Sequence, residues 1–338
     1  MSGTSQRPRS PVMADVAAMA GVSHQTVSRV LNDHPYVTPE TRERVTRAIA
    51  ELGYRRNPAA RALATRRSRV LGVVTTGASQ FGPANTLLGM EEQARAAGYF
   101  VCLVSLPQVD REEMRGALEH LCEAGVDGVV VLAPVQASVD AATGLSVGVP
   151  LVVVEGSTAE GHRTVVDQSL GARLATRHLL ELGHRTVHHV RGAADWLDAD
   201  ARLHGWRCEL EERRARVPDV LSGDWSAASG YAAGLRLAAD PEVTAVFVAN
   251  DQMAVGVLLA LAEAGRAVPE QVSVVGYDDI PEAAFLHPPL TTVRQDFPEM
   301  GRRCVQRLTA MIDGQPLTRE VSVAPDLVVR ASTAPPPS

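Results

Sequence analysis

The chain has 338 residues, 45% apolar and 21% charged, which is enough for a large core and more than one domain. Four cysteines are scattered without a CxxC pair, there is no run of 18 apolar residues, and no apolar stretch follows the basic start; together these exclude a membrane span and predict a cytoplasmic protein with reduced thiols. All 33 basic residues are Arg, and without Lys neither a Walker phosphate loop nor a pyridoxal Schiff base can be built.

Charge is unevenly spread. Residues 1–69 hold twelve Arg against five acids, a net of +7, while the rest of the chain carries −13, so that the whole sums to −6. An acidic body with one basic end points to a local polyanion-binding module. Residues 1–11 read as a disordered basic tail. Met13, Val16, Ala17 and Ala20 then lie on one helical stripe that Gly21 breaks. A second helix starts at Ser23, whose hydroxyl can cap a free N–H, and aligns Val27, Val30 and Leu31. His24, Gln25, Ser28 and Arg29 face the other way. Two short helices around a glycine turn are a helix-turn-helix pattern, in which the second helix offers its first residues to base edges of the major groove. Gln suits adenine and Arg suits guanine. The plainer reading is a helical hairpin whose polar face meets only water. Thr38-Pro39-Glu40 starts a third helix with the stripe Val45, Ala48, Ile49 and Leu52, closed by Gly53. Residues 12–56 thus form a three-helix headpiece. Residues 57–69, with Asn57-Pro58 opening about two turns, form a hinge helix and linker too short to be stable alone.

From Val70 onward short apolar runs alternate with helical stretches. Strands are expected at Val70–Val74, Phe100–Val104, Gly128–Leu132, Leu151–Val154, Val187–Val190, Ala245–Val248 and Val272–Val275. Helices are expected at Thr86–Ala97, Met114–Ala124, Leu170–Leu182, Arg202–Arg213 and Gln252–Ala264. This alternation predicts doubly wound parallel sheets in two lobes, since about 260 residues exceed what one such sheet uses. Ligands of such sheets bind beyond the carboxyl ends of the strands. His184, His188 and His189 are weak metal candidates, because His188 and His189 point to opposite faces of one strand. No Gly-x-Ser-x-Gly and no dinucleotide glycine fingerprint occurs, so no catalytic residue, metal or cofactor is expected.

The segments AGVSHQTVSRVLN, NPAARALA, HLLELGHRTV, GDWSAASGY, FVANDQMAVG, VSVVGYDDIPEA and PPLTTVRQDF, in this order, resemble the lactose-repressor (LacI/GalR) family from about Val12 to Arg330. The resemblance implies an all-α helix-turn-helix headpiece plus an α/β core of two doubly wound parallel-sheet lobes like those of periplasmic sugar-binding proteins. The core would span 70–332, with one lobe at about 70–166 and 297–324, the other at about 167–294 and 325–332, and a disordered tail at 333–338. It further implies a repressor that binds a palindromic double-stranded operator as a homodimer and is switched by a carbohydrate. His24, Gln25 and Arg29 would read bases, and Ser23, Thr26, Ser28 and Asn32 would lie at phosphates. Asn57, Ala60, Leu63 and Ala64 would form the minor-groove hinge, with Leu63 as the wedge. Gln80, Pro83, Glu155, Trp196, Asp198, Arg202, Trp225, Asn250, Asp278, Gln295 and Phe297 would surround the effector.

Trp225 and Phe297 suit the apolar face of a sugar ring, while Arg202, Asn250 and Asp278 suit its hydroxyls. Alternatively Arg202 and Asp278 form a structural ion pair and the aromatics are core. The chain departs from the family pattern in several places. Glu155 replaces an effector-binding Asp, Leu132 replaces a pocket Asn, Trp196 and Asp198 are additions, and Thr76–Asn85 differs at most positions. Val12 stands where a capping Thr is usual, so Ser10 and Pro11 are expected to start the first helix. No leucine heptads follow the core, so a dimer rather than a tetramer is expected. The competing readings are a sugar-binding protein without a DNA switch, which a secretion signal would favour, and a repressor with a nucleobase-type corepressor.

Overall fold

The computed structural model describes residues 11–55, 62–63, 65–77, 79–106, 111–132, 134–143, 148–154, 164–316 and 321–337. The expected basic tail up to Ser10, together with Asn57, Ala60, Ala64 and Glu155, lies outside the described residues. The chain divides into two compact units, 1–68 and 69–338.

The first unit holds α1 (Met13–Ala20), α2 (His24–Leu31) and α3 (Pro39–Leu52). Val16, Val27 and Val45, one from each helix, are fully buried in its single core. The start of α1 corrects the expectation of a cap at Ser10 or Pro11. Val12 is the N-cap, and because its own side chain cannot accept, Asp15 Oδ2 reaches back to the Val12 N–H at 2.8 Å. Gly21, at φ 63°, supplies the left-handed residue that lets the chain turn into α2. Ser23 and Thr38 cap α2 and α3, accepting from the N–H groups of Thr26 and Thr41.

The second unit runs in chain order through β1 (Val70–Thr76), α4 (Phe81–Ala96), β2 (Phe100–Leu106), α5 (Arg111–Glu123), β3 (Gly128–Leu132), α6 (Gln136–Thr143), β4 (Leu151–Val154) and β5 (Thr164–Val166). It continues with α7 (Gln168–Glu181), β6 (His188–Arg191), α8 (Leu197–Glu212), β7 (Leu221–Ser222), α9 (Ala227–Ala238), β8 (Ala245–Val248), α10 (Asp251–Glu263) and β9 (Ser273–Asp278). A short 3-10 turn at Pro281–Phe285, β10 (Thr291–Arg294), α11 (Phe297–Ile312), β11 (Val321–Val323) and β12 (Asp326–Val328) complete it.

Two sheets organise this unit. The first has the order β2-β1-β3-β4 and is parallel throughout. Side-chain alternation along β1 sends Leu71 and Val73 to α4 and α11, and Val74 to α5 and α6, so both faces are dry. The second has the order β12-β10-β9-β8-β6-β7. Val246 and Val274 pack on α9 and α10, whereas Phe247 and Val275 pack on α7 and α8. This sheet is not wholly parallel, contrary to expectation, because β12 runs against β10. The geometry requires it: β10 runs toward the first sheet's lobe, and β12 returns from that lobe two residues after β11. The chain crosses between the lobes at Val166–Gln168, Arg294–Phe297 and Val323–Asp326.

Two termini of the core also differ from expectation. Arg69 is part of the core, not the linker: its N–H donates to Asp127 at 3.0 Å and its guanidinium lies over the Tyr99 ring. The segment expected as a disordered tail at 333–338 is ordered over its described part. Ala334 exchanges bonds with Ser273 Oγ and sits 3.0 Å from His184 Nε2, while Thr333 lies 3.0 Å from His178 Nε2. Buried polar side chains that need partners hold it there.

Candidate functional sites

The headpiece presents a polar surface on α2. His24, Gln25 and Arg29 are exposed while Val27 and Val30 are buried beneath them, so the packing that fixes the helix also fixes what it displays. Thr26 and Ser28 are half-buried, and Ser23 Oγ lies 2.9 Å from Thr26 Oγ1. Asn32 ends the helix, its amide 3.5 Å from Ser28 Oγ. Leu63 is 87% exposed, an unusual position for a large apolar side chain in water.

In the core, a cleft partly open to solvent lies between the two lobes at the carboxyl ends of the strands. It brings together Gln80, Pro83, Trp196, Asp198, Arg202, Trp225, Asn250, Asp278, Gln295 and Phe297 from six separate segments of the sequence. Glu155 lies outside the described residues. Phe81, within the Thr76–Asn85 stretch, lines the cleft too, as do Gln168, Thr86, Val154, Val166 and Met300, which carry no expectation from the sequence. Leu132, read only as a departure, is there too. A signal for Gln168 was available, because a residue at a lobe crossing necessarily borders the space between the lobes.

The walls of the cleft differ in chemistry. On the second lobe a closed polar network forms around Arg202, which is buried under the carboxyl ends of β6, β8 and β9. Its Nε donates to Gln168 Oε1 at 2.9 Å; Gln168 Nε2 donates to Gln295 Oε1 at 2.9 Å; Gln295 Nε2 donates to Asp278 Oδ1 at 2.7 Å. The guanidinium returns to Asp278 at 3.6 Å and Asp198 at 3.9 Å, and a further N–H goes to the Ala249 carbonyl. It also sits 3.8 Å above the Tyr277 ring. The alternative of a structural ion pair is therefore part of the arrangement, since Arg202 both holds Asp278 and faces the cleft. Burial pushes the Asp278 carboxyl up to about 6 despite the opposing pull of Arg202. Burial also raises Asp198. Asn250 caps α10, accepting from Met253 N–H and donating to Trp225 O and Gln252 Oε1, so both amide hydrogens are engaged and one carbonyl lone pair is left for a ligand.

Aromatic rings close the space. Trp196 meets Trp225 edge-on at 5.4 Å, and Phe81 meets Phe297 edge-on at 5.7 Å. A Cβ on Gly192 would stand 2.0 Å from the Trp225 ring, so only glycine admits that indole. Trp225 at φ 75° and Asp278 at φ 110° are non-glycine residues in left-handed backbone, a strain that clusters at binding sites. The first lobe contributes Leu132, Val154, Val166, Met300 and two prolines, with Gln80 and Thr86 as its polar side chains among the described residues.

The histidines have other roles. His184 lies 3.0 Å from Thr244 Oγ1 and 3.2 Å from Ser273 Oγ, and His189 stacks between Trp206 and Phe247 with Nδ1 3.0 Å from the Phe247 carbonyl oxygen. Burial lowers His189 to about 3, so it is neutral. Among the described residues no cluster has metal-ligand geometry, and no helix is long and apolar enough to cross a membrane.

Both regions of the chain match known proteins. Residues 12–57 match the profile of bacterial regulatory proteins of the lacI family, and residues 176–333 match a periplasmic binding protein-like domain. The lactose operon repressor of Escherichia coli K12 is 34% identical over 95% of this chain and 90% of its own length. The transcriptional regulator CelR of Thermobifida fusca is 37% identical over 92% and 94%. The PurR repressor of Haemophilus influenzae (strain PittEE) is 34% identical over 94% and 97%. The crystal structure of a lac repressor dimer bound to operator and an anti-inducer superposes with a TM-score of 0.86 at 33% identity, covering 96% of this chain and all of that one. A CelR–cellobiose complex gives 0.71 at 33% identity, covering 95% and 99%. With an exposed recognition helix, an interlobe cleft and matches along nearly its whole length, the chain belongs to the lacI family of bacterial regulatory proteins.

Proposed function

We propose that this protein is a dimeric repressor of carbohydrate-utilisation genes, acting in the cytoplasm, that releases a palindromic operator when a neutral sugar or glycoside occupies the interlobe cleft. The observation that carries this reading is the buried Arg202–Gln168–Gln295–Asp278 network, which presents directional hydrogen-bonding groups beside edge-on aromatic pairs at the strand ends. Arg202 and Asp278 are the main contacts for ring hydroxyls, with Gln295, Asp198 and the free carbonyl lone pair of Asn250 beside them. Trp225 and Phe297 flank the apolar faces of the ring. The apolar first-lobe wall, with Leu132 and Met300, suits an aglycone or a second ring better than a further set of hydroxyls. Arg202 is already shared by two carboxylates, and no other cationic side chain lines the cleft among the described residues, which argues against a phosphorylated effector.

On the DNA side, Gln25 and Arg29 read base edges with His24, while Ser23, Thr26, Ser28 and Asn32 lie at phosphates. Leu63 wedges into the minor groove at the operator centre, within a hinge that includes Asn57, Ala60 and Ala64. Twofold symmetry pairs two headpieces with two half-sites. Exposed Leu88, Phe100 and Phe285 are apolar surface that a second copy would cover. Lobe rearrangement on effector binding separates the hinge segments, limited by the effector's differential affinity, typically about 1–3 kcal/mol per site.

The test is a thermal-shift panel of mono- and disaccharides, alkyl and aryl glycosides, sugar phosphates and purine bases, followed by gel-shift titration on DNA around the protein's own gene. A neutral saccharide or glycoside should raise the melting point and release the DNA. Stabilisation by purines alone, or no preference for any such DNA over random duplex, would refute the proposal.

A further inference from the structure

The two lobes are joined by a tie that is not part of the chain crossings. Trp196 ends the segment after β6 on the second lobe and forms an antiparallel bridge with Val135, which follows β3 on the first. The next residue, Leu197, donates its N–H to the Pro134 carbonyl at 2.9 Å. Leu197 is the first residue of α8, and the N-terminal donors of a helix need acceptors from outside it. Trp196, the N-cap, makes no side-chain cap, so the other lobe supplies an acceptor. The Leu197 side chain also leaves its own lobe, packing against the first-lobe core cluster that includes Val139 and Ala142. In the opposite direction, Phe81 of the first lobe packs on the core of the second. Both Pro134 and Trp196 line the cleft, and Trp196 reaches Gly77, where a Cβ would stand 3.1 Å from the indole. The cleft is therefore bounded by covalent crossings at Val166–Gln168 and Gln295–Phe297 and by this non-covalent tie.

We propose that the Trp196–Leu197 corner, docked on Pro134–Val135, is a gating strap whose release sets how fast the effector reaches or leaves the cleft. This deepens the carbohydrate reading above and rests on it only for the identity of the ligand. Two features favour a strap over a fixed weld. An N–H and a carbonyl freed by opening are taken up by water without an unsatisfied group, and one plug residue leaves the rest of each core intact. Asp198 and Arg202 lie on the first turns of the same helix, so release of the corner reaches the polar network directly.

Two measurements test it. In native-state amide exchange of the free full-length protein, the N–H of residue 197 should be protected, yet exchange well before the amides of the surrounding cores, as expected for local opening. Leu197→Ala should speed it about tenfold. In stopped flow with cellobiose as probe, followed by the fluorescence of Trp196 and Trp225, Leu197→Ala should raise association and dissociation rates together, each about tenfold, so that the Kd changes far less than either rate. A 197 amide exchanging at the unprotected rate, or variant association kinetics equal to those of the unsubstituted protein, would overturn the strap. Absence of any cellobiose signal in both proteins would count instead against that disaccharide as effector, and amide exchange would still decide the strap.

Discussion

The headpiece and the cleft solve recognition in opposite ways. On α2 the proposed base-reading groups stand exposed on one face of the helix, anchored from below by Val27 and Val30 and from the end by the Ser23 cap. In the cleft the groups of the polar network are buried, each held by the next, and drawn from four distant places in the chain. An exposed reader tolerates loss of one side chain without structural collapse. A buried network does not, since each member satisfies the polar groups of another.

Removing the Arg202 side chain should therefore have the largest effect. Arg202→Ala leaves Asp278 and Asp198 facing one another without a cation and frees Gln168, a class of change that costs about 3–5 kcal/mol. Denaturant unfolding of the core should show that loss, and calorimetry should find no effector binding. Asp278→Asn sharpens the test, because the amide still accepts from Gln295: stability should fall by much less while effector binding disappears. Equal destabilisation by both variants would mean that the network is structural and the cleft is not its purpose.

The headpiece breaks through its core instead. Val27 is fully buried in a cluster with few other large side chains, and Val27→Ala removes two methylene-sized groups, about 2 kcal/mol, from a unit of marginal size. Circular dichroism and gel shift should report a headpiece melted at moderate temperature and operator binding lost, with effector affinity of the core unchanged.

These contrasts explain what could be read without coordinates. α2 is local: its cap, apolar stripe and polar face lie within ten residues, and the periodicity is decisive. Buried strands such as Gly128–Leu132 and Ala245–Val248 were legible because both of their faces are apolar. The short β7 and the small β5–β11 pair carry too few residues for a pattern, whereas α11 carries a helical stripe in Phe297, Met300, Cys304, Val305 and Leu308 that is absent from the expected helices. In the cleft, the family pattern supplied positions but not connectivity. Nothing in the order of residues says that Gln168 bridges Arg202 and Gln295, because that bond spans a lobe crossing. The order of the tail at Thr333 and Ala334 is illegible for the same reason, its partners His178, His184 and Ser273 being 61 to 155 residues distant.

The acidity of Asp278 separates the two sites further. Its carboxyl is raised to about 6 in the free protein, so folding favours the protonated form; this stabilisation is complete below the ordinary carboxylate range near 4 and is lost as pH rises through 6. Effector hydroxyls need the ionised acceptor, so effector affinity should climb between about pH 5 and 7 while intrinsic stability declines. Calorimetry across that range should show proton release on binding. The same fall of intrinsic stability with pH in Asp278→Asn would assign the titration to another group.

The operator side predicts smaller and more specific losses. Arg29→Ala should cost about 1–3 kcal/mol and relax preference at one base pair of each half-site. A uniform loss over all sequences, with a shallower salt dependence, would make Arg29 a phosphate contact.

The smallest effect should come from Ser23. Its hydroxyl accepts the Thr26 N–H at 3.1 Å at the start of α2, and Ser23→Ala removes this cap for about 1 kcal/mol. If the cap were the residue's whole role, headpiece stability and operator affinity would fall only as far as helix fraying requires, and Ser23→Asp would restore both, since an acid caps well and suits the positive end of the helix. A phosphate contact predicts a different outcome. Ser23→Asp would then recover stability but bind DNA worse than Ser23→Ala, because a carboxylate repels the backbone it faces. Thermal melts read beside gel shifts at two salt concentrations separate these cases, and only the second places an exposed hydroxyl of α2 at the duplex.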